Sequence, residues 1–338
     1  MEDGRPSMAS CVVCGGSEIS PLFRSVDFQY KVSGTFTVTR CRTCGLDAID
    51  PIPDAQSFYF DQDLYPYALA SLSWRTRLKT RVKSALLTCR RYANLPGFYG
   101  RMFQCLVWPF RARLLPVDPH GKTVFEVGAG NGRHLLELRA LGWKVAGCEL
   151  SESGVSAARA MGLAVDRGSL ETGGYPSASF DVLYLDQVFE HVSDPRGFLK
   201  EAGRVLKPDG LLVIGVPNAE ALSYHLFGKW WGLLALPFHL FQYSRHTLRL
   251  LLETSGFDVV RFRYVPLSMC WVWSVNNWVN AAFGHSSDRG FVNNRFGRLI
   301  GYCVIVPLLM VMRVVSPARL EMVMVYATPK TCKQEGLK

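Results

Sequence analysis

The clearest pattern along the chain is an apolar run that breaks into glycines. Thr123 to Val127 is rich in β-formers and apolar, Gly128, Gly130 and Gly132 follow at alternate positions, and Arg133 to Leu141 then has helical periodicity. Lys144 to Cys148 reads as a second strand and ends at Glu149. Ser244 stands where an N-cap belongs, ahead of a helix over Arg245 to Ser255. Two further helical patterns lie outside this core. Trp74, Leu78, Val82 and Leu86 recur every four residues with basic residues between them, and Trp271, Val275, Trp278, Val279 and Ala282 share one helical face. Leu299 to Met312 holds no charge, but it is shorter than the roughly 20 residues that span a bilayer and contains Pro307. It reads as an interfacial, re-entrant or protein-packed segment.

A strand that gives way to spaced glycines lets a backbone approach a ligand closely, and a carboxylate one strand over can accept both hydroxyls of a ribose. The pattern therefore predicts a nucleoside-containing cofactor on an α/β, doubly wound sheet. A dinucleotide fingerprint would need a third glycine where Arg133 stands, which disfavours nicotinamide cofactors.

Ten cysteines in 338 residues change the picture at the amino terminus. Cys11 and Cys14, and Cys41 and Cys44, form two CxxC pairs. Gly15 and Gly45 suit the knuckles after them, and Val32 to Arg40 alternates as a hairpin strand would. This is zinc spacing, and a closed tetrathiolate site is structural. Four unrelated thiols are the alternative. The remaining cysteines show no pairing pattern and read as small core residues.

Glu126 followed by the three glycines resembles the first motif of class I S-adenosylmethionine-dependent methyltransferases. Phe180 to Gln187 resembles that family's fourth strand, Val188 to Pro195 its LEHvxDP segment, and Arg204 to Gly210 its RVLKPGG turn. Leu211 to Val216 is similar to its fifth strand, and Pro237 to Leu248 resembles its HLxxFSxxTL pattern with Tyr243 at the usual Phe. The resemblance implies a seven-stranded, mostly parallel sheet with a sixth strand over Asp258 to Val265 and a last one over Glu321 to Thr328. An apolar helical insertion, residues 267–318, separates these two. Cys41 to Leu46 and Phe58 to Tyr67 further resemble the opening of bacterial sugar and cell-surface methyltransferases that carry an N-terminal zinc ribbon. The implied layout is a ribbon over 1–66, a basic helical linker over 67–117 and the methyltransferase domain over 118–330.

The same resemblance distributes roles. Gly128, Gly130 and Gly132 pass beneath the amino-acid half of S-adenosylmethionine, Glu126 lies at its methionine end and Glu149 holds the ribose. Leu150 packs on the adenine, with Ser169 and Leu170 along its edge; Leu170 in the apolar core is the alternative. Asp186 and Gln187 orient cofactor and substrate. His191 is a base or a loop-holding residue, and His239 is the alternative base. Tyr59, Tyr65, Tyr67, His225, Trp230 and Trp231 either face the acceptor or pack internally.

Charge and hydropathy bear on partners. The net charge is +10, and residues 68–116 hold ten Lys and Arg without an Asp or Glu. A mean hydropathy of +0.09 is high for a freely soluble enzyme. A basic amphipathic helix fits an anionic membrane surface or a solvated face. Nucleic acid is disfavoured because the helix lacks interleaved aromatics. Met1 to Ser10 is polar and lacks the apolar core of a secretory signal, so a reducing, cytoplasmic setting at the inner face of the membrane is expected. The expected acceptor is a hydroxylated small molecule or lipid-linked saccharide, with a lipid-soluble phenol or quinone as rival and a scaffold without turnover as a third reading.

Overall fold

The computed structural model describes residues 8–30, 32–53, 115–283 and 304–330. The basic helix and the tyrosines at 59, 65 and 67 lie outside these residues, as does the start of the 299–312 run. Strands β1 (Ile19–Ser25), β2 (Phe36–Cys41), β3 (Asp47–Asp50) and β9 (Phe241–Gln242) form a four-stranded sheet in that order. The remaining strands are β4 (Thr123–Val127), β5 (Lys144–Glu149), β6 (Val165–Arg167), β7 (Phe180–Asp186), β8 (Leu206–Pro217), β10 (Phe257–Val265) and β11 (Met322–Pro329). They form a seven-stranded sheet of order β10-β11-β8-β7-β4-β5-β6. β4, β5 and β6 run parallel, whereas β11 is antiparallel to both its neighbours.

Two compact units make up the chain. The first comprises Gln62–Tyr184 and Val205–Gly210. Its helices α1 (Arg133–Ala140) and α2 (Glu152–Ala160) pack Leu135, Val155 and Ala158 with Ala129, Leu163 and Val165 into one core. Near-continuous apolar runs such as Val124 and Phe125 in β4, both buried, are what strands covered on two faces require. The sequence placed the fifth strand at Leu211 to Val216, but β8 starts at Leu206, where Lys207 holds Asp181 at 2.9 Å.

The second unit comprises Met1–Asp61, Leu185–Arg204 and Leu211–Lys338. It contains α3 (Pro195–Val205) up to Arg204, α4 (Leu222–Phe227), α5 (Arg245–Thr254), α6 (Ser268–Phe283) and α7 (Val306–Val315). The cysteine-rich segment is built into it. β3 pairs with β9 through Ala48 and Phe241, and Arg196 donates to the carbonyls of Val12 and Val13. Asp47 is fully buried, gripped by Arg40 at 2.6 and 2.7 Å and by the Tyr224 hydroxyl at 2.7 Å.

The apolar face of the insertion's first helix is only partly buried. Of the predicted apolar stripe on α6, Trp271 is buried but Trp278 is 48% exposed; Cys270, Ser274 and Asn277 are buried instead. Loop backbone decides this. Ser274 Oγ accepts from Gly232 N at 2.8 Å and Asn277 donates to the Trp230 carbonyl, so polar side chains satisfy main-chain groups that would otherwise be orphaned. Pro307 lies in the first turn of α7, where its missing N–H costs nothing. No described helix is long and apolar enough to cross a membrane.

Ser244 caps α5 as expected. Its side chain accepts from Thr247 N at 3.1 Å while Thr247 Oγ1 accepts from Ser244 N at 2.8 Å. Ser244→Ala removes half of this reciprocal pair, and a loss of about 1 kcal/mol is expected in urea unfolding; an unchanged midpoint would show that the cap contributes nothing.

Candidate active site

In the first unit the site grows from the end of β4. Gly128, Gly130 and Gly132 have φ of 70°, 53° and 73°, a region that strongly favours glycine. The turn's first amides, of Gly128 and Ala129, donate to the Cys148 carbonyl at 2.9 and 3.0 Å. The Gly130 amide donates to Glu149 Oε2 at 2.8 Å, and Ser151 N donates to Glu149 Oε1 at 2.8 Å. The structure thus brings the glycine turn and the predicted ribose carboxylate together. Burial raises the Glu149 pKa, while the bonds from Ser151 and Gly130 oppose that rise. Each oxygen accepts one of these bonds and keeps further acceptor capacity.

The three glycines are not equivalent. A Cβ on Gly132 would strike the Leu163 side chain and come within 3.0 Å of Ala158, so this glycine serves close packing of α1 on α2 and β6. Gly154, which the sequence reading missed, lies in the first turn of α2; a Cβ there would come within 2.9 Å of Glu149 Cγ and 3.1 Å of the Gly130 carbonyl. Only the final contact reveals it, because nothing marks a lone glycine inside a helical pattern. Glu126 is buried, with Oε1 at 2.9 Å from His134 Nδ1 and Oε2 without a hydrogen bond. Leu150 is 41% exposed beside the carboxylate, Ser169 is half-buried in a turn with Thr172, and Leu170 is fully buried.

The remaining predicted residues belong to the second unit. Asp186 ends β7, and Gly215 makes room for it, since a Cβ there would lie 2.9 Å from Asp186 Oδ1. Gln187 has a φ of 58°, unusual outside glycine, and its buried Nε2 lacks a hydrogen bond. His191 and His239 meet ring to ring, with centroids 4.7 Å apart. His191 Nδ1 lies 2.8 Å from the Phe238 carbonyl and His239 Nδ1 2.8 Å from the Leu233 carbonyl. Burial lowers both pKa values, that of His191 to about 4. Trp231 is a core residue bonded to Ser223, while His225 and His246 are exposed.

The four ribbon cysteines also converge. Cys11 and Cys44 sulfurs are 3.6 Å apart and Cys14 and Cys41 sulfurs 3.5 Å, against about 3.8 Å around a tetrahedral zinc. All four lie within 4.8 Å of one another, and Gly15 and Gly45, with φ of 74° and 80°, turn the two knuckles. The donor set fits a structural zinc ion.

A family model for a methyltransferase domain matches residues 99–261. The human mitochondrial ubiquinone biosynthesis O-methyltransferase is 30% identical over 249 residues, covering 64% of this chain and 68% of that protein. The chain belongs to the S-adenosylmethionine-dependent methyltransferases. A Mycolicibacterium smegmatis protein named as an S-adenosylmethionine-dependent methyltransferase is 35% identical over 141 residues, which cover 41% of this chain. The chain spans about half of that relative, 53%. A Ruegeria ubiquinone biosynthesis O-methyltransferase is 28% identical, covering 46% of this chain and 69% of its own. S-adenosylmethionine is the cofactor of this class and supplies the methyl group.

Gly154→Ala tests whether the methyltransferase needs the Glu149 carboxylate where it lies. A methyl group there displaces the carboxylate from Gly130, and S-adenosylmethionine affinity is expected to fall at least tenfold by calorimetry, about 1.4 kcal/mol. Unaltered affinity would dissociate Glu149 from cofactor binding.

Proposed function

We propose that this methyltransferase transfers the methyl group to a hydroxyl oxygen of a sugar or lipid-linked saccharide, at an anionic membrane surface. The observation that carries the donor half is the Glu149 carboxylate bonded to the Gly130 amide at 2.8 Å. It fixes an acceptor for ribose hydroxyls against a turn whose backbone is open to close approach. Glu126, Gly128, Gly130, Glu149 and Leu150 hold the cofactor in this reading. Gly132, by its packing, supports the turn.

Oxygen as the acceptor atom is supported by the relatives, which are named O-methyltransferases. The saccharide is supported by the cysteine-rich opening. Those same relatives favour a second reading, a lipid-soluble phenol or quinone precursor. His191 and His239 belong to the acceptor side. Burial lowers the pKa of both imidazoles, that of His191 to about 4, so in this reading they hold the acceptor and do not act as strong bases. Displacement at the sulfonium needs alignment and exclusion of water more than it needs a base.

Transfer of labelled methyl from S-adenosylmethionine to nucleotide sugars, lipid-linked saccharides and polyhydroxylated phenols separates the readings. Labelling confined to saccharides is expected; labelling of phenols alone would replace the proposal with its rival.

Membrane contact is supported by α7, which leaves Val311, Val314 and Val315 exposed at 59%, 83% and 76%, and by the ten basic residues of 68–116. Flotation with anionic vesicles is expected to fall as salt rises. Equal recovery with neutral and anionic vesicles would remove charge from the account.

A further inference from the structure

His134 and Glu126 form a buried pair in the first unit that the glycine turn alone does not require. Glu126 is the penultimate residue of β4 and His134 the second residue of α1, so their side chains meet across the turn that contains Gly128, Gly130 and Gly132. His134 Nδ1 lies 2.9 Å from Glu126 Oε1, and both residues are buried. A carboxylate oxygen accepts, so the proton of this bond sits on Nδ1. The imidazole also rests against the Tyr184 ring, with centroids 4.5 Å apart. One hydrogen bond and one ring contact therefore fix its plane.

That bond satisfies one oxygen of the carboxylate. Glu126 Oε2 is buried without a hydrogen bond, and among the described residues of this unit it is the carboxylate oxygen so placed. Strand register brings a second carboxylate to the same place. Glu126 pairs with Gly147 of β5, so Glu149, two residues further on, projects from the same face of the sheet. Burial raises the Glu149 pKa first, and the charge of Glu126 adds to the rise. Both Glu149 oxygens already accept main-chain N–H groups, whereas Glu126 keeps Oε2 for a further donor. A buried acceptor left unmet is costly, and a second carboxylate beside it makes a cationic donor the best complement.

We propose that His134 is a positioning residue for the cofactor: by holding Glu126 Oε1 it presents Oε2 to the α-ammonium of the methionyl half. S-adenosylmethionine has two cationic centres, and its sulfonium carries no N–H to donate, so the α-ammonium is the group that can meet Oε2. The terminal torsion of a glutamate is broad and roughly two-fold, so the plane of this carboxylate needs an outside partner to be fixed. The Nδ1–H of His134 is that partner. The imidazole acts through Glu126 and touches neither the sulfonium nor the methyl group. This role rests on the donor reading of the preceding section and adds to it a helix residue that lies outside the glycine pattern.

Calorimetry of the full chain with S-adenosylmethionine and with 5′-methylthioadenosine, which keeps the nucleoside and the sulfur but lacks the amino-acid half, tests this. His134→Leu is expected to weaken S-adenosylmethionine at least about tenfold, as loss of a hydrogen bond to a charged group does, and to leave 5′-methylthioadenosine affinity unchanged. His134→Asn, whose amide nitrogen reaches the place of the imidazole Nδ1, restores most of the difference. His134→Gln puts its nitrogen nearer the imidazole Nε2, so it repeats the loss, and it keeps a polar side chain should leucine prevent folding. Glu126→Gln gives the same selective loss, and adding His134→Leu to it lowers affinity little further, because the two residues act as one unit. Equal weakening of both ligands would overturn the proposal and leave the pair as a tie between β4 and α1. Unaltered affinity for both ligands, or His134→Asn as weak as His134→Gln, would overturn it as well. A wild-type chain that binds neither ligand would sink the donor reading itself, an outcome distinct from these.

Discussion

The Glu149 carboxylate, buried and held by two backbone amides, is the constraint around which the first unit is arranged. A buried anion is tolerated only when its lone pairs are met, and here the donors are main-chain groups whose direction depends on conformation. Gly130 must therefore adopt its positive φ to aim its N–H, Ser151 must leave the strand to cap α2, and Gly154 must lack a Cβ so that the carboxylate fits above the helix. Each small residue answers to the same charge. The ligand geometry is thus set by protein-internal bonds.

The second unit solves its buried-polar problem by different means. Its side chains satisfy loop backbone: Asn218 donates to Ala318 and Leu320, Ser274 accepts from Gly232, and Asn277 donates to Trp230. This explains why an apolar insertion turns a partly polar stripe inward. The loops it covers present main-chain groups that need partners, as Gly232 N and the Trp230 carbonyl do, and leaving such a buried group unpaired costs about 1–3 kcal/mol. Against that background Glu190 stands out because, among the described residues, neither of its oxygens has a hydrogen bond.

Features legible from residue types were those governed by short spacing. β4 begins and ends at the residues read from the pattern, α5 starts after its Ser244 cap, and the four cysteines converge because each pair is set by a single knuckle. Glu149 was legible from its place after a strand. The contacts of Glu190 were not, although it sits beside His191 in a recognised segment, because its neighbour at 3.8 Å is His239, far along the chain. β9 was invisible for a related reason. Two residues carry no periodicity, and only pairing with β3 makes them a strand. Which side of α6 turns inward was not legible, because hydropathy ranks tryptophan above serine and takes no account of the carbonyls and amides that the helix must cover.

That pairing has an effect on the order of assembly. The cysteine-rich segment takes its fourth strand from Phe241–Gln242, its buried Asp47 is completed by Tyr224, and Ser25 donates to the carbonyl of Lys229. All of these partners leave the ribosome roughly two hundred residues after the segment they secure. The cysteine-rich segment is thus synthesised well before the partners that lock it in place, and until then its four thiols can be organised by their own knuckles and a metal ion. Long-range closure of this kind slows folding, and the early knuckles supply local order while the rest of the chain is still being made.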